Sequence, residues 1–282
     1  MKINEIDNLK FVSDTVIMIK IIETKGSVPR NKNVYMVISN NKQFGTIGGG
    51  ELEFRATNEA KKLLKNNLKK NILKYPLGPS LGQCCGGYLK IELNKFSSGK
   101  KLIEKLDLKN DILKENNNLY IFGAGHVSKS IINKLDGVGF NIFVIDSREE
   151  FLSQINNEYI EKIFAKNPEI IIKNTLPNSF YLVMTHSHQL DLLICSHLLN
   201  INNFTFLGLI GSKTKRERFK KRLNELGYDN NLIQKIECPI GINSINGKEP
   251  DVIAISIIAR LLEFKSLINK SIENKHLKLI KG

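Results

Sequence analysis

Residues 119–151 read LYIFGAGHVSKSIINKLDGVGFNIFVIDSREEF, and this stretch decides the fold of the second half of the chain. An apolar run leads into a glycine turn, an amphipathic helix follows, and a second apolar run ends at Asp146. This order predicts two parallel strands joined by a helical crossover. Two later apolar runs, 180–186 and 204–212, are each followed by a helical pattern. We therefore predict an α/β fold, with a Rossmann-like parallel sheet and helices on both faces, over residues 119–282.

The glycine turn of this unit predicts a ligand site. Gly123 permits a tight turn, and Gly125 lets the backbone approach a phosphate at the start of the helix. Asp146 follows at the end of the second strand, where a ribose hydroxyl would bind. Ser128 stands at the third glycine position of the fingerprint and is small enough for close packing. The alternative is a Rossmann domain whose crevice binds another ligand or none.

Two further segments follow predicted strands of the same sheet. His186, His188 and Asp191 lie in THSHQLD, at the edge that faces the crevice of an open α/β sheet. They are candidates for ligand contact, for metal binding, or, in the case of Asp191, for capping the next helix. Ser212 is a good N-cap for a strongly basic helix over 213–222, whose face either holds a phosphate or is solvated.

The first part of the chain has a different pattern. Residues 14–24 and 33–39 are β-rich, residues 51–67 have helical spacing, and two more β-rich runs flank a loop that contains cysteine and glycine. We predict a small α+β domain over residues 1–97, joined by a polar helical linker over residues 98–118.

Glycine loops mark the candidate site of this first domain. Gly48, Gly49 and Gly50 directly precede the predicted helix, so their backbone N–H groups would suit an anion, and Arg30 adds a donor for phosphate. The alternative is a tight turn that requires positive φ angles.

The second loop, SLGQCCGG at residues 80–87, carries adjacent cysteines, Cys84 and Cys85. Thiolates bind soft metals or take part in sulfur chemistry, and the surrounding glycines predict exposure. Cys195 lies on the apolar face of a predicted helix and is expected in the core. Cys238 precedes a proline near the predicted crevice, and the sequence leaves its role open.

The composition restricts the class of protein. The 42 basic and 28 acidic residues give a net charge of +14, and most of the excess is lysine. No zinc-finger spacing or RNA-binding aromatic signature is present, so we do not expect nucleic acid as a partner. No apolar run is long enough for a membrane span, and no secretory signal precedes the first strand. We expect a cytoplasmic protein that does not bind membranes, with its thiols reduced or bound to a ligand.

Taken in order, a series of motifs resembles the XdhC/CoxI family of xanthine dehydrogenase accessory proteins over about residues 10–265. The motifs are ETKGSVPR, GTIGGGELE, GPSLGQCCGG, IFGAGHV, VIDSREEF, MTHSHQLD, LGLIGSKTKRERF, CPIGI and EPDVIAISIIARLL. The LGQCCGG loop is the most specific of them. The sequence departs from the usual pattern after Pro29–Arg30, where a glycine is often found, and at Ser128, where alanine is usual.

The resemblance implies a chaperone that binds molybdenum cofactor as cargo, supports its sulfuration and delivers it to xanthine dehydrogenase or a related molybdenum hydroxylase. It implies no multiple-turnover reaction, so no catalytic residue and no resident metal are assigned. A cysteine desulfurase and a second copy of the chain are further expected partners. The predicted cofactor-binding residues are Arg30, Gly48, Gly49, Gly50, Gln83, Cys84, Cys85, Gly123, Gly125, His126, Asp146, His186 and Ser212.

Two alternatives stay open at this point. One is an NAD(P)-dependent oxidoreductase with a redox-active cysteine pair, although a disulfide between adjacent cysteines closes a strained ring. The other is a non-catalytic interaction scaffold whose Rossmann crevice binds no ligand. The sequence also leaves open whether the crevice holds the pterin phosphate, a separate nucleotide or nothing.

Overall fold

The structure, a computed structural model, describes residues 3–30, 32–77, 86–106, 117–135 and 137–281, with side chains from residue 5 to residue 267. The chain divides into two compact units, residues 1–114 and residues 115–282.

The first unit is built on an antiparallel sheet with the strand order β3-β2-β1-β5-β4. Its described elements are α1 (Ile3–Leu9), β1 (Val16–Lys25), β2 (Tyr35–Ile38), β3 (Gln43–Gly45), α2 (Gly50–Lys65), β4 (Lys70–Leu77), β5 (Gly87–Phe96) and α3 (Gly99–Lys105).

Strand β1 is apolar along most of its length because both faces of the sheet are covered. Ile17 and Ile19 point into a core shared with α2, whereas Val16 and Met18 point into a second core shared with α1 and α3. Alternate side chains of a strand point to opposite faces, so each core receives every second residue.

Helix α3 lies in the segment predicted as a linker, and it packs on the first unit. Leu102 is fully buried with Leu9, and a Cβ placed on Gly99 would lie 2.0 Å from the Leu9 carbonyl oxygen. Residues 107–116 lie outside the described residues. The first half of the predicted linker is thus part of a core.

The second unit is the predicted Rossmann-like domain, with six parallel strands in the order β11-β10-β9-β6-β7-β8. Its described elements are β6 (Asn117–Phe122), α4 (His126–Lys134), β7 (Phe140–Asp146), α5 (Glu149–Ser153), β8 (Glu161–Phe164), a 3-10 helix (Pro168–Asn174), β9 (Ser179–Val183), α6 (His188–Ile201), β10 (Phe204–Leu209), α7 (Lys213–Glu225), α8 (Asn230–Ile233), β11 (Ile236–Glu237) and α9 (Pro250–Lys281).

This strand order fixes where a ligand would bind. Chain progression reverses between β6 and β9, which are direct neighbours in the sheet. Helices α4 and α9 cover one face of the sheet, and α6, α7 and α8 contribute to the core on the other face. In open α/β sheets the ligand crevice lies at the carboxyl ends of the strands, at such a switch point.

Candidate functional site

Gly123 forms the turn that follows β6, directly at the switch point. Its φ is +109°, and its N–H donates to the Ile145 carbonyl oxygen at 2.8 Å. A Cβ at this position would lie 2.3 Å from the Met184 carbonyl oxygen at the end of β9. Only glycine satisfies both the backbone angle and this close approach.

Gly125 has a different surrounding from Gly123. It is the N-cap of α4, it has no side-chain cap, and nothing lies within 4 Å of its Cβ position. His126 is exposed beside it. Ser128 is buried, and its hydroxyl donates a short hydrogen bond to the Gly123 carbonyl oxygen. The start of α4 is therefore open to an approaching anion, while the turn beneath it is tightly held.

Asp146, the predicted ribose contact, is 3% exposed and hydrogen-bonded within the unit. Its carboxylate accepts the Ala124 N–H at 2.7 Å and the backbone and guanidinium N–H groups of Arg148 at 2.8–3.0 Å. Burial acts to raise the pKa of Asp146, but these hydrogen bonds and the Arg148 charge outweigh it, and the pKa is lowered. The carboxylate joins the end of β7 to the glycine turn.

Asp191, considered above as a cap or a metal ligand, is fully buried in an ion pair. Its Oδ2 lies 2.6 Å from Lys215 Nζ, and its Oδ1 accepts the backbone N–H and the hydroxyl of Thr185 at 3.0 and 2.7 Å. Lys215 also donates to the Ile210 carbonyl oxygen at 2.9 Å. The pair ties the loop after β9 to the loop after β10, and the helix is capped by Ser187.

The hypothesis that His186, His188 and Asp191 bind a metal ion does not fit this geometry. Within the part of the chain that the structure describes, no three side chains of His, Cys, Asp or Glu lie close enough to hold a metal ion. His186 and His188 are exposed, whereas Asp191 is directed to Lys215. His186 remains at the crevice edge, at the carboxyl end of β9.

Ser212 caps α7 as predicted, with its side chain accepting the Lys215 N–H. It lies at the carboxyl end of β10, beside a cavity of about 280 Å³ lined by Ile210, Gly211 and Ile240. The remaining basic residues of α7 are exposed. The second unit thus brings the positions predicted for it to one edge of the sheet, at the ends of β6, β7, β9 and β10.

In the first unit, the triple-glycine loop is held by a side chain that the sequence reasoning missed. Glu53 Oε2 accepts the N–H groups of Ile47 and Gly49 at 3.2 and 3.1 Å and a short hydrogen bond from the Thr46 hydroxyl. Gly48 donates to Thr46 Oγ1 at 3.1 Å. The expectation of free N–H groups at Gly48 and Gly49 is therefore wrong, because a carboxylate and a hydroxyl of the loop already accept from them.

The loop nevertheless gathers the other predicted residues of this unit. A Cβ on Gly48 would touch Pro29 at 2.8 Å and Arg30 Cγ at 3.6 Å, so Arg30 lies against the glycine loop and is itself exposed. Gly49 has open space at its Cβ position, and all three glycines have positive φ.

The described end of the cysteine loop, Gly86–Gly87, lies against the GSVPR segment, residues 26–30. Gly86 N–H donates to the Leu77 carbonyl oxygen at 2.9 Å, and Gly86 forms a bridge with Ser27. A Cβ on Gly87 would lie 1.9 Å from the Ser27 carbonyl oxygen, so glycine is required there. Gln83, Cys84 and Cys85 lie outside the described residues, and their roles stay predictions.

The lowered pKa of Glu53 predicts that the first unit loses stability at acidic pH. Burial acts to raise the pKa of Glu53, but hydrogen bonds from Thr46, Gln43, Gly49 and Ile47 lower it overall. A carboxylate with a lowered folded-state pKa contributes stability above its unfolded pKa, about 4.3, which is lost as the pH falls through the folded value. We expect Glu53→Gln to flatten the fall in free energy of unfolding below about pH 4, measured by urea denaturation. Glu104→Gln, at an exposed glutamate of α3, is the control and should leave the pH slope as in the parent protein. A Glu53→Gln variant with the same pH slope as the parent would contradict this role.

Cys195 is fully buried, as predicted, and Cys238 is 2% exposed. Burial, the largest effect, raises the pKa of both thiols. Buried thiols with raised pKa react slowly with alkylating reagents. We expect iodoacetamide to leave both unmodified in the folded protein and to modify both in urea, as read by peptide mass spectrometry. Modification of folded Cys195 at the rate seen in urea would contradict the structure.

The spacing of some site residues in the sequence is compatible with the contacts that they make in the fold. Arg148 follows Asp146 by two residues, a spacing that permits a fork to its carboxylate. Glu53 lies one turn into a helix that follows glycines, where a carboxylate can accept the N–H groups of the preceding loop. Lys215 lies within a run of basic residues, and nothing in that run distinguishes it as buried.

The doubly wound sheet, its glycine turn at the switch point and the separate α+β unit define a two-unit protein of the Rossmann-like class. The chain belongs to the XdhC and CoxI family. Residues 119–261 match the model of the XdhC Rossmann domain, and residues 13–76 match that of the XdhC and CoxI family.

Two relatives extend this comparison. The chain is 26% identical over 258 residues to the Escherichia coli protein YqeB, described as uncharacterized, and the match covers 88% of this chain and 43% of that protein. The chain therefore spans less than half of the length of this relative. A crystal structure described as a xanthine dehydrogenase from Bacillus halodurans shares the fold, with a TM-score of 0.74, 22% identity and coverage of 94% of this chain and 96% of the other.

In the described residues, no helix is both long enough and apolar enough to cross a membrane.

Proposed function

We propose that this protein is an accessory protein that binds molybdenum cofactor, supports its sulfuration and delivers it to xanthine dehydrogenase or a related molybdenum hydroxylase. The main support for the proposal is that three family motifs lie close together in the first unit. Arg30, the triple-glycine loop and the Gly86–Gly87 end of the cysteine loop gather around the GSVPR segment.

The chemistry of these residues fits an anionic pterin dithiolene. Arg30 is exposed beside Gly48, and Gly49 and Gly86 leave open space at their Cβ positions. An exposed guanidinium beside space that no side chain fills suits an oxyanion, and thiolates of Cys84 and Cys85 would suit the molybdenum or the sulfur that it receives. The membership of the chain in the XdhC and CoxI family and the name of the Bacillus halodurans relative support a hydroxylase as the recipient. A cysteine desulfurase as sulfur donor and a homodimer belong to the same proposal.

A second candidate is a nucleotide-dependent oxidoreductase, which the strand order and the open start of α4 favour. Co-expression with the cofactor biosynthesis proteins, followed by mass spectrometry of the small molecules bound to the purified protein, separates the candidates. Bound pterin is the expected result. Bound NAD(P) without pterin would favour the oxidoreductase, and neither ligand would favour a scaffold.

The cysteines provide the sharper test of mechanism. We expect the double variant Cys84→Ser and Cys85→Ser to keep its fold and to retain less pterin, because serine removes the soft ligand with little change in volume. Activation of a cofactor-free hydroxylase should fall in parallel. Cys195→Ser is the matched control, since Cys195 is buried away from solvent. Full retention and full transfer by the double variant would overturn the role of the cysteines.

A further inference from the structure

We propose that the end of β7 is a subsite for a phosphate monoester, recognised by Arg148, and not a subsite for the free diol of a ribose. In dinucleotide-binding folds, the acid at the end of the second strand accepts hydrogen bonds from ribose hydroxyls, whereas an arginine nearby accommodates a phosphate on that ribose. This sequence has both residue types, Asp146 and Arg148, and the structure decides between them.

The carboxylate of Asp146 has no acceptor position left for a ribose. A carboxylate offers about four lone-pair positions. Its Oδ1 accepts two hydrogen bonds from Arg148, from N and Nε at 3.0 Å each. Its Oδ2 accepts from Ala124 N at 2.7 Å and from Arg148 Nη2 at 2.8 Å. A diol would have to displace one of these donors from a side chain that is 2% exposed.

Arg148, by contrast, is positioned to bind an anion. Its Nε and Nη2 are fixed on Asp146, its Cζ lies 3.9 Å from the centroid of the Phe151 ring, and its side chain is 26% exposed. Within the described residues, no hydrogen-bond acceptor lies on Nη1. A guanidinium held in this way keeps a planar donor edge for a phosphate oxygen and loses little conformational freedom on binding.

The surroundings add a second cation and a second point of attachment. Lys129 Nζ lies 5.5 Å from the centroid of the same Phe151 ring, although it also donates to Gln154. The open N-terminus of α4 at Gly125 lies after β6, the neighbour of β7. The ionised carboxylate of Asp146, which is paired with Arg148, and the exposed carboxylates of Glu149 and Glu150 oppose an anion, so the preference depends on the donor geometry of Arg148 and not on net charge.

This inference goes beyond the proposed cargo, because it concerns any crevice ligand that carries a phosphate monoester. NAD⁺ and NADP⁺ are suitable probes, since they differ only in the phosphate on one ribose. Isothermal titration calorimetry of the full chain, at a fixed near-physiological salt concentration, should show that NADP⁺ binds at least about tenfold more tightly than NAD⁺. Arg148→Met should reduce the affinity for NADP⁺ to that for NAD⁺.

Arg55→Met is the matched control, because Arg55 is an exposed arginine on α2 of the first unit, outside the Rossmann-like sheet, and the variant should leave the ratio of the two affinities unchanged. Should Arg148→Met fail to fold, Arg148→Lys is the second variant. It keeps the positive charge but loses the planar donor edge of the guanidinium, so the affinities for NADP⁺ and NAD⁺ should still become more similar. Equal affinities in the parent protein, no binding of either nucleotide at millimolar concentration, or equal losses for both in a folded Arg148 variant would overturn the proposal. None of these results involves a pterin, so the proposed function is tested separately.

Discussion

Replacing Gly123 by alanine is expected to lower the free energy of unfolding of the Rossmann-like unit by about 2–5 kcal/mol, one of the largest effects of any single change in that unit. The added Cβ would lie 2.3 Å from the Met184 carbonyl oxygen, and the backbone angle of +109° is unfavourable for any side chain. The backbone of β9 must move, or the glycine turn must open. Urea denaturation followed by far-ultraviolet circular dichroism measures the loss.

Gly125→Ala is the matched control in the same turn. Its Cβ position has no neighbour within 4 Å, and its φ is −75°, so the substitution should change the free energy of unfolding by no more than about 0.5 kcal/mol. Gly125→Val should likewise keep the fold but weaken a phosphate ligand by at least about tenfold, because the side chain stands where the phosphate approaches. Equal stability losses at Gly123 and Gly125 would show that the turn is not as close to β9 as the structure has it.

Replacing Lys215 by methionine should have an effect of similar size, about 3–5 kcal/mol, because it leaves the carboxylate of Asp191 buried without its counter-ion. Asp191 is fully buried and Lys215 is 9% exposed at the side chain, so water cannot replace the lost partner. The loops after β9 and β10 would also lose their link. Urea denaturation of the parent and the variant measures the change.

The double variant Asp191→Asn and Lys215→Met tests the cause of this loss. With no buried charge left, it should be more stable than Lys215→Met alone. Lys213→Met, at an exposed lysine of the same helix, should stay within about 0.5 kcal/mol of the parent protein. A Lys215→Met variant as stable as Lys213→Met would show that the ion pair contributes little.

The sequence alone predicts β6, β7, β9 and β10 in their order and the helices that follow β6, β9 and β10, because hydrophobic periodicity and glycine position are local properties. It does not predict the short strands β8 (Glu161–Phe164) and β11 (Ile236–Glu237). It also predicts the ends of strands that meet at the crevice, since parallel strands place their carboxyl ends at one edge. Cys195 in the core and Ser212 as a helix cap follow from the same local patterns, and both are confirmed.

Only the tertiary structure decides which polar groups are already bonded to one another. The sequence predicts Asp146 as a ligand contact, yet in the fold its carboxylate accepts hydrogen bonds from Ala124 and Arg148. The sequence predicts free N–H groups in the triple-glycine loop, yet the Glu53 carboxylate accepts hydrogen bonds from the N–H groups of Ile47 and Gly49. Asp191 and Lys215 are 24 positions apart in the sequence and form a buried pair. The physical reason is that a carboxylate and its donors can be distant in the chain, and burial, which makes their pairing obligatory, is set only when the sheet and its loops have folded.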